Sequence, residues 1–367
     1  MFLRNCWYVA GWNYEVKAGQ LAPRSIAGVP LLFYRLQDGR IVALEDRCCH
    51  RKAPLSLGRL EGDNVRCMYH GLKFDSTGKC IEIPGQETIP PGACVRTFPV
   101  VDRHSWLWVW LGDAARADES LIPPAVGTDD PKWTLRTGQL DYAANYLLVN
   151  DNLCDLSHIA YAHEKTFGVG DDRMAKTRPT VKTLPRGIRV QRWTIDAPVQ
   201  EYDVTGKKTQ DFFMTYDYLA PGVFLMRSET HPPGTAVRFN YGEPEGEPYH
   251  ANFTSQAITP MTVGTSRYFF SWGPRASEAQ QVPELPDNMF SLAERAFAED
   301  KAIIEGQQRN LDVYHDDAPL MISHDRGPSL MRAIMRRLMD EESQWDPEAA
   351  EFHRREARDV PLGWSAR

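Results

Sequence analysis

Four side chains able to hold a metal fall into two short groups. Cys48 and His50 are one residue apart, and sixteen residues later Cys67 and His70 are two apart. Each group offers one soft thiolate and one imidazole. Gly58 and Gly71 nearby suit sharp turns. A [2Fe–2S] centre with thiolates on one iron and imidazoles on the other takes this set, and the imidazoles raise its potential. A structural Cys2His2 zinc site takes the same side chains, but it usually pairs CxxC with HxxxH. Core cysteines beside unrelated histidines are the remaining reading. Cys49 adjoins the set; the CxH spacing favours Cys48 as donor and leaves Cys49 a bystander.

A second group follows. Asp151, Asp155 and His158 stand at i, i+4 and i+7, so a continuous helix puts all three on one face. His163 lies five residues further on, about 140° away on an ideal helix. For both imidazoles to bind one metal, the helix must bulge or end between them, at Ala160-Tyr161-Ala162. Two histidines and one carboxylate form the facial triad of non-haem Fe(II) oxygenases, which leaves positions open for oxygen and substrate. The carboxylate need not be local. Asp300 borders the apolar face of a later helical stretch, where a charge is costly unless it is paired or ligating. Its neighbour Glu299 is the residue most easily confused with it. Solvated surface charge is the alternative for both.

The elements that must position these groups divide the chain. At about 150 residues per domain, 367 residues make two domains. Residues 1–115 read as all-β: Leu31–Tyr34, Ile41–Leu44, a hairpin from Leu72–Phe74 through Asp75-Ser76-Thr77-Gly78 to Lys79–Ile83, and a closing strand Ser105–Leu111. The polar stretch Gly112–Glu119 and Ile122-Pro123-Pro124 mark the boundary. Residues 116–367 read as α+β, an antiparallel sheet with helices on one side. Its strands are Ile188–Trp193, Phe212–Leu219, Val223–Ser228 and Tyr268–Trp272; its helices are Ala144–Glu164, Asp287–Asn310 and Ser329–Glu342.

Composition narrows the function classes. Hydrophobic residues make up 42% and charged residues 25%, ordinary for a globular chain. The net charge of −7 argues against nucleic acid as a partner. The apolar run Trp106–Leu111 is far short of the roughly 20 residues that span a bilayer. The start, Met1–Trp7, does not read as a signal peptide. Seven cysteines, an odd number in a long chain, do not read as a secreted disulfide scaffold. A cytoplasmic protein without a membrane partner is the expectation. No GxGxxG occurs, and Gly168-Val169-Gly170 lacks the third glycine, so no nicotinamide or flavin site is expected on this chain.

The motifs CxH-x16-CxxH, then Asp-x3-Asp-x2-His-x4-His, then a distal Asp, resemble the terminal oxygenase component of Rieske non-haem iron oxygenases. The resemblance runs over nearly the whole chain. It is strongest to vanillate O-demethylase and dicamba monooxygenase, through Asn5-x-Trp7-Tyr8-Val9-Ala10, Ala53–Gly58, Ile83-Pro84-Gly85-Gln86, Asp151-Asn152-Leu153-x-Asp155-Leu156, Phe297-Ala298-Glu299-Asp300 and Gln307–Leu311. It implies an N-terminal Rieske [2Fe–2S] domain and a C-terminal helix-grip catalytic domain. Cys48 and Cys67 would then bind one cluster iron, and His50 and His70 the other. His158, His163 and Asp300 would hold the mononuclear Fe(II). Asp155 would be no ligand but the bridge between a triad histidine and a cluster histidine of the neighbouring subunit in a head-to-tail homotrimer. Cys49 stands where the family usually has Pro, Leu72 where it often has Trp, and Cys154 where it often has Met; none of these removes a ligand.

The resemblance further implies a monooxygenase using O2 and NAD(P)H electrons that arrive through a reductase or ferredoxin. The leading reaction is O-demethylation of an aromatic, carboxylate-bearing methoxy compound. N-dealkylation and methyl or ring hydroxylation are alternatives, and an electron-transfer protein without catalysis is a remote one. Seven basic residues between Arg47 and Lys79 face three acidic ones, an excess of +4 that would steer an acidic electron donor. Arg227 could clamp a substrate carboxylate, or be an ordinary charge on a sheet face. Phe213, Tyr216, Tyr218 and Trp272 could surround an aromatic ring or be core. The resemblance is weakest between Phe167 and Val282, the span expected to shape specificity.

Overall fold

The computed structural model describes residues 2–167, 172–199, 209–314 and 320–359, with side chains as far as 354. Gly168-Val169-Gly170 lies outside the described residues. The chain forms two compact units, one of residues 2–122 with 259–263, the other of 123–258 with 264–367.

The first unit holds three small sheets. Trp7–Trp12 pairs antiparallel with Trp106–Trp110, which pairs with Val100–Arg103. Both tryptophan-rich strands are buried at every position, which is why they read as continuous apolar runs rather than as alternation. Ala22–Ile26, Val29–Arg35, Ile41–Glu45 and Thr97–Phe98 form the second sheet. Arg59–Glu61, Asn64–Arg66, Lys73–Phe74 and Cys80–Glu82 form the third, so the expected hairpin is present.

Two turns of this unit share one backbone design. The Cys48 amide donates to Ala53 O and the Lys52 amide to Cys48 O; likewise the Cys67 amide donates to Leu72 O and the Gly71 amide to Cys67 O. The fifth residue of each turn has a left-handed backbone, φ 62° at Lys52 and 75° at Gly71. At Gly71 a Cβ would also meet Pro84 Cγ at 2.7 Å, so glycine is required there on two counts.

The second unit is built on a seven-stranded sheet in the order Arg136–Tyr142, Thr265–Pro274, His250–Thr262, Val223–His231, Thr209–Leu219, Gly187–Pro198, Thr180–Leu184. Six consecutive strands form a meander, and Arg136–Tyr142 closes the far edge antiparallel to Thr265–Pro274. The helices are α1 (Tyr146–Cys154), α2 (Ile159–Ala162), α3 (Leu285–Val313) and α4 (Arg326–Trp345), with shorter ones between. On α3, Leu285, Met289, Leu292, Ala293, Ala296, Phe297, Asp300 and Ile304 are buried. That is one helical stripe, and Asp300 sits within it.

The expected single helix over Ala144–Glu164 is instead three pieces. Asn145 caps α1 through its Oδ1, which accepts from Leu147 N. The helix stops at Asp155, whose backbone is extended (φ −136°, ψ 109°). The Asp155 carboxylate then accepts from Ser157 N at 3.0 Å and caps the short turn Leu156–His158. An aspartate that can bond its own downstream amides competes with the helix in this way. Asp151, Asp155 and His158 therefore do not share a helical face. Asp151 instead meets Arg332 of α4, Oδ1 accepting from Nε at 2.9 Å. Among the described residues no helix is long and apolar enough to cross a membrane.

Candidate metal centres

The two matched turns bring the first group together. Cys48 and Cys67 are buried, while His50 and His70 are exposed with ring centroids 4.6 Å apart. The two thiols are near enough to influence each other's ionisation. Burial, followed by the Cys67 thiol, pushes the Cys48 thiol up to about 11. Sulfur lies inside and imidazole at the surface, so the thiolates and the imidazoles sit on two sides, as a cluster with one thiolate-bound and one imidazole-bound iron would use them. Cys49 is half-buried against the same core, and burial raises its thiol.

The basic excess around this centre is smaller than the sequence count. Arg47 pairs with Glu45 at 2.6 Å, Arg59 with Glu61 at 2.8 Å, Arg66 with Glu61 at 2.6 Å and Glu82 at 2.9 Å, and Lys73 with Glu61 at 2.9 Å. Glu45, Asp46 and Glu82 flank the counted window, and with them its excess falls to +1. Arg51 and Lys52, beside His50, remain exposed.

The second group also converges. Ligand atoms of His158, His163 and Asp300 all lie within 4.8 Å of one another. Asp300 Oδ2 is 3.2 Å from His163 Nε2, and Asp300 Oδ1 is 3.5 Å from His158 Nε2. The broken backbone makes this possible: His158 ends the turn that Asp155 caps, and His163 follows the last residue of α2, so both imidazoles turn toward α3. Desolvation holds the His158 pKa below its ordinary value. Desolvation also opposes protonation of His163, but Asp300 and then Glu299 outweigh it and raise the pKa. One half-buried imidazole (His158) and one buried imidazole (His163) facing both oxygens of a buried carboxylate are a donor set that a divalent cation completes. The residues present fit a mononuclear iron.

Asp155 stands close by. Its backbone carbonyl, and not its carboxylate, lies 2.7 Å from His158 Nδ1. The carboxylate is 3.8 Å from the guanidinium of Arg192, a cation only 5% exposed that also donates to Ser157 Oγ. Two residues went unassigned in the sequence. Asn152 donates to Asp300 Oδ1 at 3.0 Å. Glu299 takes His163 Nδ1 at 2.9 Å. Nothing local to Asn152 marks it, whereas Glu299 was visible only as the neighbour of Asp300.

The three convergent residues form part of the wall of a cavity of about 100 Å³, room for about one aromatic ring. Phe212, Met214, Phe224, Met226, Trp272 and Phe297 line its apolar part, and Ser228, Asn252, Thr254 and Gln256 its polar part. Strand alternation sets this lining. Met226 and Ser228 face the cavity, so Arg227 between them does not. It pairs with Glu229 at 3.3 Å and with Glu243. Arg227 as a carboxylate clamp is corrected accordingly: it is a sheet-face charge with acidic partners. Trp272 lines the cavity, but Phe213, Tyr216 and Tyr218 are buried core, and Phe212 and Met214 stand in their place.

Comparison with known proteins agrees over both units. Residues 6–99 match the Rieske [2Fe-2S] domain and residues 142–341 the vanillate O-demethylase oxygenase C-terminal domain. The iron–sulfur subunit of the toluene-4-sulfonate monooxygenase system of Comamonas testosteroni is 38% identical over 352 residues, 94% of this chain and 99% of that one. The vanillate O-demethylase oxygenase subunit of a Pseudomonas species is 31% identical over 355 residues, 94% of this chain and 97% of that one. The crystal structure of dicamba monooxygenase bound to 3,6-dichlorosalicylic acid superposes with a TM-score of 0.83 at 29% identity, covering 93% of this chain and 99% of that one.

Proposed function

We propose that this chain, which belongs to the Rieske non-haem iron oxygenase family with a vanillate O-demethylase-type C-terminal domain, oxidises a methyl-type carbon on a small aromatic acid. It is a monooxygenase, the terminal oxygenase of a multicomponent system. In our reading Cys48 and Cys67 hold the inner iron of the cluster and His50 and His70 the outer one. His158, His163 and Asp300 hold the mononuclear iron. Bound there, the iron supplies oxygen activation at positions the protein leaves open.

The observation that carries the reading is the cavity. The triad is part of its wall, it has room for about one ring, and aromatic and thioether side chains make most of the rest. Phe212, Phe224 and Trp272 exclude water and hold a ring by apolar contact. Ser228, Asn252, Thr254 and Gln256 offer neutral hydrogen bonds to a polar substituent. A ring held by its polar end presents its substituent carbon in one orientation. If that carbon is a methoxy carbon, hydroxylation gives a hemiacetal that releases formaldehyde and a phenol. A second reading is supported by the 38% identity to a toluene-4-sulfonate monooxygenase subunit: the carbon is a ring methyl and the product a benzylic alcohol.

Electrons come from a separate reductase or ferredoxin. Exposed His50 and His70 support transfer from the cluster to a neighbouring copy, with Asp155 as the receiving bridge in a head-to-tail trimer. The test is turnover of methoxy- and methyl-substituted benzoates and benzenesulfonates with NADH, a surrogate reductase and ferredoxin. Formaldehyde equal to phenol supports O-demethylation. Benzylic alcohol without formaldehyde selects the second reading. Ring hydroxylation alone overturns both.

A further inference from the structure

His163 sits between two consecutive carboxylates of α3. Its Nε2 is 3.2 Å from Asp300 Oδ2, and its Nδ1 is 2.9 Å from Glu299 Oε2. Neighbouring helical residues point about 100° apart, so one helix turn reaches both edges of the same ring. The Oε2 atom that takes Nδ1 also accepts from Thr166 Oγ1 at 2.7 Å. Thr166 is itself held by the turn, its amide donating to His163 O at 2.9 Å. The other imidazole is treated differently. His158 Nδ1 meets a neutral acceptor, the Asp155 carbonyl, at 2.7 Å.

A neutral imidazole carries one N–H, and an ionised carboxylate can only accept. With Nδ1–H committed to Glu299, the lone pair must lie on Nε2, the nitrogen that faces Asp300. A carboxylate behind a ligating histidine fixes both tautomer and ring direction and makes the ligand more basic, which a carbonyl does less strongly. We propose that Glu299, braced by Thr166, is the positioning residue that presents His163 Nε2 to the mononuclear metal, so that the two histidine ligands are unequal and His163 is the stronger donor. The inference rests on the reading that His158, His163 and Asp300 hold that metal.

The test uses the full chain with its cluster intact and the mononuclear site emptied by chelation. Co(II) is titrated in without substrate, and its visible ligand-field bands report both occupancy and ligand strength. Glu299→Ala should weaken Co(II) binding about 10- to 100-fold and shift the bands. Glu299→Gln, whose amide oxygen still accepts from Nδ1–H, should recover part of the affinity but not the wild-type spectrum. Thr166→Val should leave the affinity within about threefold. Far-ultraviolet circular dichroism of each variant shows that the unit carrying the substitution has folded, and Glu299→Gln decides the matter should Glu299→Ala not fold. Wild-type affinity and spectrum in both Glu299 variants, whatever their Tm, would overturn the proposal. Asp300→Asn separates the two levels. If it abolishes Co(II) binding while the Glu299 variants do not, only this inference fails; if it leaves binding intact, the assignment of the metal site fails first.

Discussion

Asp300 Oδ2 lies 3.2 Å from His163 Nε2, although His163 sits in the turn after α2 and Asp300 on α3, far apart in the chain. Asp300 is 6% exposed on the buried stripe of α3, where an ionised carboxylate without a cationic partner is costly. Asp300→Asn removes the charge and keeps the shape. The purified variant is expected to carry one iron fewer per chain, with the cluster's visible absorption unchanged. Iron analysis beside that spectrum checks it, and full iron content would refute Asp300 as a ligand.

Asp155 leads to a different expectation. Its carboxylate caps Ser157, lies 3.8 Å from buried Arg192 and makes no contact within the triad, while its carbonyl holds His158. Asp155→Asn keeps the carbonyl and can keep the cap. Both metal centres should therefore load normally, and the loss should fall on electron transfer between them, lowering steady-state turnover. Stopped-flow oxidation of the reduced cluster by O2 in the presence of substrate measures that step. A variant as fast as wild type would remove Asp155 from the electron path.

These two sites show what was legible in the sequence. The convergence of Cys48, His50, Cys67 and His70 was readable because each half is local, set by a single turn of matching hydrogen bonds. Asp300 was readable as a charge on an apolar stripe. The break at Asp155 was not, because helix spacing continues through it and only the competing side-chain cap ends the helix. On Thr209–Leu219, which carries aromatics on both faces, Phe213 belongs to the face opposite the cavity, while Tyr216 and Tyr218 share the face of Phe212 and Met214 but lie beyond the cavity. The strand His250–Thr262 gave no apolar alternation, since its Asn252, Thr254 and Gln256 turn polar groups into the cavity.

The two matched turns make the same left-handed demand at their fifth residues but fill it differently, with Lys52 in one and Gly71 in the other. Gly71→Ala puts a Cβ on a left-handed backbone and 2.7 Å from Pro84 Cγ. It should cost roughly 2 kcal/mol. Lys52→Gly relieves similar backbone strain but adds chain entropy in the unfolded state. It should be neutral to within about 0.5 kcal/mol. The rate at which cluster colour is lost on heating reports both. Equal sensitivity at the two positions would contradict the shared design.

At the sheet edge, Asp141 takes two hydrogen bonds from Arg267, at 2.6 and 2.8 Å. These hold its carboxyl below the usual carboxylate range. A depressed folded-state pKa adds stability that is fully present above the unfolded value, about 3.9, and is lost as pH falls through the lower folded value. Asp141 is about half exposed, so solvent screens the pair and Asp141→Asn should cost only about 0.5 kcal/mol at neutral pH. The difference should vanish in acid below the folded pKa. Chemical denaturation at the two pH values tests the sign, and a deficit that grows in acid would contradict it.

Asp151 and Arg332 tie α1 to α4 by a pair in which each side chain is about a quarter exposed. Burial raises the Asp151 pKa and Arg332 only partly offsets it, so the carboxylate depends on its partner. Arg332→Leu strands that charge and should cost roughly 2–4 kcal/mol at neutral pH. The double change with Asp151→Leu should cost less than the single one, because an apolar pair leaves nothing unpaired. A raised folded-state pKa also fixes the pH sense. The deficit of Arg332→Leu should be absent below about pH 3.9, where Asp151 is protonated in both states. It should grow as pH rises and be complete above the raised folded value. Denaturation of the wild type and the two variants at pH 4 and pH 7 decides it. A deficit of Arg332→Leu that is independent of pH, or a double variant worse than the single one, would show that Arg332 holds α4 by packing and not by its charge.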